Sequence, residues 1–391
     1  MSKRKKYLTC SRKYDLPLFC AAWTGSIAES KPAANSESEA GPSTGRTDDN
    51  ADDKGQLAGA GVGHVVFGGG GGDRKNGVKN LLVLAHYDFG TDVLSEAIST
   101  SSTDDDPPYR LAVHPGSNEI VCSVSKDCRL FELRSDDGVK LESSEKLRKP
   151  LRDVGEQNCL VFSADGTRFA TGGEDGHLRV FEWPSLELLL NEPNAHQSVK
   201  DLDFSLDSSL LASTGDSGPC RIWDISKASA VAVLTSDKGS NLGFCRFSRD
   251  GTKSILYITL REGGKGLIGM WDTNSWEKVG AKKLSDVPIS AFSISPDGKF
   301  LAIGSSEGAL SIVDAKRLAA TQQLKSAHMV FVTSMEFSPN SRALLSVSGD
   351  SSARVTAVTE SSKLGGLPNS VLILLIVVLL SLLYILASRG R

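Results

Sequence analysis

Six stretches of this chain are variations on one plan, and that plan limits the fold more than any single residue does. They read "LAVHPGSNEIVCSVSKDCRLFEL", "LVFSADGTRFATGGEDGHLRVFEWP", "LDFSLDSSLLASTGDSGPCRIWDIS", "CRFSRDGTKSILYITLREGGKGLIGMWDTNS", "AFSISPDGKFLAIGSSEGALSIVDAKR" and "MEFSPNSRALLSVSGDSSARVTAVTE". The residues before the shared turn are Val113, Phe162, Phe204, Phe247, Ile294 and Phe337, which recur every 42 to 49 positions. Each unit has an apolar strand, a Ser-Pro-Asp-Gly-like tight turn, a second apolar strand, a Gly/Asp/Ser turn and a third strand. A period of this length marks a repeat architecture, whose units bury their apolar faces only against one another. The default for 391 residues is two or three average domains, but a repeat protein of this size is one unit.

Trp223-Asp224 and Trp271-Asp272 close two of the units in matching places. With the period, they make the chain resemble the WD-repeat family, which implies four-stranded blades around a central channel. Six units cover residues 110–360. Upstream, "DLPLFCAAW", "HVVF" and "NLLVLAHYD" read as three strands of a seventh. The expectation is an all-β, seven-bladed β-propeller of the WD-repeat type over residues 14–360, after a basic N-terminal segment at 1–13. A fourth strand for the last blade is not evident, so the closure of the ring is left open. Residues 25–62, rich in Ser, Gly, Ala and acid, read as a disordered acidic insert in blade 1. "SSTDDDPP" at 101–108 reads as a shorter linker of the same kind.

The basic start "MSKRKKYLTC" leads into no apolar run, so no secretory signal is expected. At the other end, Val371 to Ala387 is a seventeen-residue stretch without a charge. As a helix it spans about 25 Å, against roughly 27 Å for the core of an endoplasmic reticulum bilayer. It reads as one transmembrane helix after a linker at 361–370, with a short tail at 388–391. Arg389 and Arg391 outnumber Lys363 around it and favour a cytosolic tail by charge alone. A large folded portion without a signal outweighs that count, so the propeller is expected to face the cytosol and the tail the lumen. Seven scattered cysteines without C-x-x-C spacing agree with a reducing compartment. A net charge of −3 gives no support for nucleic-acid binding.

Chemistry for covalent catalysis is sparse. His196 and His328 precede inner strands at matching places, where WD repeats use a histidine for hydrogen bonding within the blade. His64, His86, His114 and His177 lack metal-ligand spacing, and no G-x-S-x-G serine occurs. That leaves "HVVFGGGGGDRKNGVKNLLVL" at 64–84. Its five glycines do not form a phosphate loop, because no Gly-Lys-Ser/Thr or G-x-G-x-x-G register completes and a strand, not a helix, follows. Asn76-Gly77 between two apolar runs signals a hairpin.

Four glycines, an acid, Asn-Gly and a closing Asn, together with seven blades and a C-terminal anchor, resemble one family in particular. These are the membrane-anchored WD-repeat exchange factors for Sar-type small GTPases (the Sec-twelve-like, or prolactin regulatory element-binding protein, family). The resemblance implies a guanine-nucleotide exchange factor at the endoplasmic reticulum that starts COPII coat assembly and ER-to-Golgi transport, without covalent chemistry or a small-molecule substrate. It implies a potassium ion held in the loop by Gly69, Gly70, Gly71, Gly72 and Asp73, since glycine carbonyls converge without Cβ crowding and suit a hard cation. It also implies GTPase contacts from Arg74, Lys75, Asn76, Gly77, Val78 and Lys79, with Val78 apolar at the tip and Asn80 as the exchange residue. Arg74 and Lys79 depart from the family's small residue and Pro. A second reading is a non-catalytic propeller relative that helps specific membrane cargo, such as a phosphate transporter, leave the endoplasmic reticulum. A propeller hydrolase is a remote third.

Overall fold

The structure is a computed structural model that describes residues 8–24, 61–72, 77–135, 138–144, 149–236 and 240–359. Seven antiparallel sheets follow one another along the chain. Blade 1 holds Leu18–Trp23, Val62–Gly69 and Leu81–Asp88, and its outer edge is shared by two short strands, Val93–Leu94 and Ser99–Ser102. The inner strands of blades 2 to 7 are Arg110–Val113, Gln157–Phe162, Val199–Phe204, Ser240–Phe247, Ile289–Ile294 and Val332–Phe337. The core is divided among seven apolar clusters, one between each pair of neighbouring blades. Each blade is therefore apolar on both faces, which is why second strands such as Phe300–Ser305 and Ala343–Ser348 are buried along their whole length.

The repeated turn has a local cause. Its serine donates to the Asp two residues on and accepts the N–H five residues on. Ser295 Oγ lies 2.6 Å from Asp297 Oδ1 and 2.9 Å from Phe300 N. Ser163 and Ser205 repeat the pattern. The following residue is left-handed, and where glycine is missing Ser208 and Ser341 take that strained position at φ 60° and 58°. The two histidines act within blades as expected. His196 Nε2 sits 2.8 Å from Ser213 Oγ, which also accepts the Trp223 indole N–H at 2.8 Å. His328 bridges Ser352 and Ser346 at 2.7 and 2.9 Å. Burial pushes both imidazoles down to about 4. All seven cysteines are free, and all but Cys10 are buried.

Two boundaries differ from the sequence reading. Thr9–Lys13, assigned there to a segment outside the ring, is the outermost strand of blade 7, antiparallel to Ser352–Ala357 from Thr9↔Thr356 to Lys13↔Ser352. The ring thus closes by joining the first and last strands of the propeller in one sheet. "TCSRK" alternates exposed and half-buried positions, as an edge strand does, but carries too little apolar content to announce itself. Likewise, the stretch read as a linker from Ser101 begins inside the strand Ser99–Ser102, paired with Leu81–Leu84. The propeller forms one compact unit that ends at Val358. No helix among the described residues is long and apolar enough to cross a membrane, and the expected span at 371–387 lies outside them, as do residues 25–60 of the acidic insert.

Candidate functional site

The glycine loop joins the second and third strands of blade 1, Val62–Gly69 and Leu81–Asp88. In a sheet of this connectivity that loop lies on the same face as every connection entering an inner strand. One such connection, Tyr14 to Pro17, runs beside it: Gly70 N–H donates to Pro17 O at 3.0 Å. Asp73, Arg74, Lys75 and Asn76 lie outside the described residues, so the site described here is the neck of the loop.

Asn80 organises that neck. The residue is 2% exposed. Its Oδ1 accepts the Gly72 N–H at 3.1 Å, and its Nδ2 donates to Gly72 O at 2.9 Å and to Asp104 O at 3.1 Å. Its own carbonyl accepts the Thr103 N–H at 3.1 Å. The carboxamide thus forms a two-way bridge across the mouth of the loop and ties it to the turn after Ser99–Ser102. Gly70 has to be glycine here, because a Cβ would stand 2.1 Å from Asn80 Oδ1. Gly72 needs it for another reason: its φ of 77° favours a residue without a side chain.

The sequence reading placed Asn80 where it would meet a partner; the structure places it inside, its hydrogen bonds used within the chain. Val78, read as the apolar tip, is half-buried and packs on the cluster between blades 7 and 1. Gly77, at φ 72°, and Lys79 are exposed. The acidic turn Asp104-Asp105-Asp106 is a part of the site that the sequence reading missed. Arg129 of blade 2 holds it, with Nη2 2.8 Å from Asp106 Oδ2 and Nη1 2.8 Å from Thr103 O. The run "TDDD" directly before Pro107-Pro108 was the available signal, because three acids at a blade's edge need a cation or a turn to hold them.

The neck's donor set is all oxygen. The carbonyls of Gly72 and Asp104 converge on Asn80, and the hydroxyl of Thr103, a fully buried residue, has no hydrogen-bond partner. Both carbonyls are taken by the Asn80 amide, so of the neck's oxygens only the orphaned Thr103 hydroxyl is left as a donor for a hard cation. Among the described residues no group of His, Cys, Asp and Glu side chains could hold a metal ion.

Comparison with known proteins agrees with this architecture. The family model "WD domain, G-beta repeat" matches residues 151–182, 188–224 and 321–356. The chain is 41% identical over 292 residues to SEC12-like protein 2 of Arabidopsis thaliana, covering 73% of this chain and 74% of that protein. It is 39% identical over 285 residues to SEC12-like protein 1 of the same plant, covering 71% of each. Against the guanine nucleotide-exchange factor SEC12 of Mus musculus it is 27% identical over 263 residues, 63% of this chain and 60% of that protein.

Proposed function

The chain belongs to the SEC12-like family of WD-repeat proteins, and from that premise we propose that it is a guanine-nucleotide exchange factor for a Sar-type small GTPase. It acts on the cytosolic face of the endoplasmic reticulum, anchored by residues 371–387, and starts COPII coat assembly there. The observation that carries this reading is the neck of the glycine loop. The loop that leaves one face of the ring after Gly69 is closed at its base by a buried carboxamide.

Exchange makes and breaks no covalent bond. It needs a surface that binds the nucleotide-free GTPase more tightly than the loaded one. In this reading Lys79, Gly77 and residues 73–76 touch the partner, while Asn80 is a positioning residue that fixes where they stand. The loop's glycine carbonyls and the Asp73 carboxylate would hold a potassium ion. Bound there, such an ion would supply the positive charge that oxygens brought close together need.

The test is nucleotide release from a Sar-type GTPase with the full chain added in mild detergent and potassium buffer. Acceleration that weakens when lithium replaces potassium supports the reading. No acceleration overturns it and leaves the cargo-assisting relative in its place.

A further inference from the structure

The connection from blade 6 into blade 7 carries the longest run of exposed large apolar residues among the described ones: Met329 at 79%, Val330 at 41% and Phe331 at 51% exposure. The other exposed apolar residues stand singly or alternate along outer strands, as on most soluble surfaces. This run is also held rigid from below. Met329 N–H donates to Asp350 Oδ2 at 2.6 Å, and the Ser348 hydroxyl donates to Phe331 O at 2.9 Å. The His328 N–H donates to Gly308 O at 3.0 Å. Three apolar side chains are thus presented to solvent on a fixed backbone, so a partner would meet a surface that has already lost its conformational freedom.

Its place in the fold says which partner. A connection that enters an inner strand lies on the same face as the glycine loop, and blade 7 is the neighbour of blade 1. A short path of hydrogen bonds joins the two: Met329 to Asp350, Tyr14 N–H to Ser351 O at 2.8 Å, and Gly70 N–H to Pro17 O at 3.0 Å. Beside the ridge, a groove of about 460 Å³ is lined by Lys13, Glu307, Asp350 and Arg354. An apolar centre with a charged rim is the anatomy of a protein–protein contact.

We infer that the Met329–Val330–Phe331 ridge is a second docking contact for the same GTPase that the glycine loop acts on. This rests on the exchange reading above. The ridge supplies grip, because a polar loop tip lacks the buried apolar anchors that dominate binding. The loop supplies the difference between loaded and empty states. The two therefore separate kinetically: the ridge sets how much GTPase is captured, and the loop sets how fast captured GTPase releases nucleotide.

The experiment compares the full chain with its Met329→Ser/Phe331→Ser variant, and with Met329→Lys as a milder second change. Binding to nucleotide-free Sar-type GTPase and nucleotide release are both measured across GTPase concentration, and thermal midpoints confirm that the exposed changes leave folding intact. The expected result is about a tenfold or greater loss of affinity, with a matching rise in KM and a nearly unchanged maximal rate. Unchanged affinity in a variant of a protein that does accelerate release overturns the ridge alone. Wild-type protein that binds without accelerating release, and loses binding in the variant, keeps the ridge and overturns exchange. Wild-type protein that does neither overturns both. Self-association of the wild type that the variant abolishes reassigns the ridge to a second copy of this chain and overturns the inference.

Discussion

A single methyl group at residue 70 separates two roles for Asn80. Built onto Gly70, it would stand 2.1 Å from Asn80 Oδ1 and 2.7 Å from Asn80 Cα, so the carboxamide has to leave its seat. Gly70→Ala is therefore expected to lower exchange as far as Asn80→Ala does, although it removes no group a partner recognises. Each should destabilise the fold by about 1–3 kcal/mol, through overpacking in one case and unmet buried hydrogen-bonding groups in the other. Because both act on one contact, the double variant should fall well short of the sum. Full activity in Gly70→Ala would return Asn80 to direct contact. The glycines and Asn80 were legible as a cluster in the sequence. The burial of Asn80 was not, because one of its partners, Asp104, comes from a turn 24 residues away. His328 was legible, since the repeat puts a histidine in that place twice. Its pKa is held at about 4 by burial, below the ordinary 6.5, so its contribution to stability is complete above pH 6.5 and is lost as pH falls towards 4. His328→Gln should flatten that part of the acid limb of a thermal-stability profile; an unchanged limb would assign the loss to other groups.

Among the elements, strands buried on both faces were readable and polar edge strands were not. Phe300–Ser305 is apolar enough to be recognised from its residues alone, whereas Ser99–Ser102 is "STSS" and gains its structure entirely from its partner. The joint between blades 7 and 1 yields a prediction of its own. Glu336 Oε2 accepts the Trp23 backbone N–H at 2.8 Å, and the Trp23 indole N–H donates to Glu336 O at 3.1 Å. Burial pushes the Glu336 carboxyl up to about 7 from its ordinary 4.5. The folded state therefore favours the protonated form, a stabilisation fully present below pH 4.5 and lost as pH rises through 7. Glu336→Gln keeps an oxygen for Trp23 and removes the charge. It should raise the thermal midpoint at pH 8, on the order of 1–3 kcal/mol of stability, and hardly at all at pH 5. An equal effect at both values would mean that Glu336 ionises normally in place.

The ring is closed by a strand that contributes little apolar surface. Removing residues 1–13 deletes the outer strand of blade 7 and bares the edge of Ser352–Ala357. The expected outcome is a lower thermal midpoint with faster proteolysis within residues 332–357, while blades 3 and 4 keep their protection in hydrogen exchange. Uniform loss of protection would show instead that the ring melts as one body. Six of the seven blades could be read from the repeat period and the seventh from three apolar strands before them, but the closing strand could not, because a repeat search finds likeness and "TCSRK" carries too little apolar content. Its pairing also sets a timetable. Thr9 is made long before Thr356, the residue it pairs with. At ordinary rates of synthesis that interval is roughly 20–70 s, through which the strand must wait without a partner. A strand of Thr, Cys, Ser, Arg and Lys is suited to the wait, because it offers little apolar surface for a wrong partner before the last blade emerges to receive it.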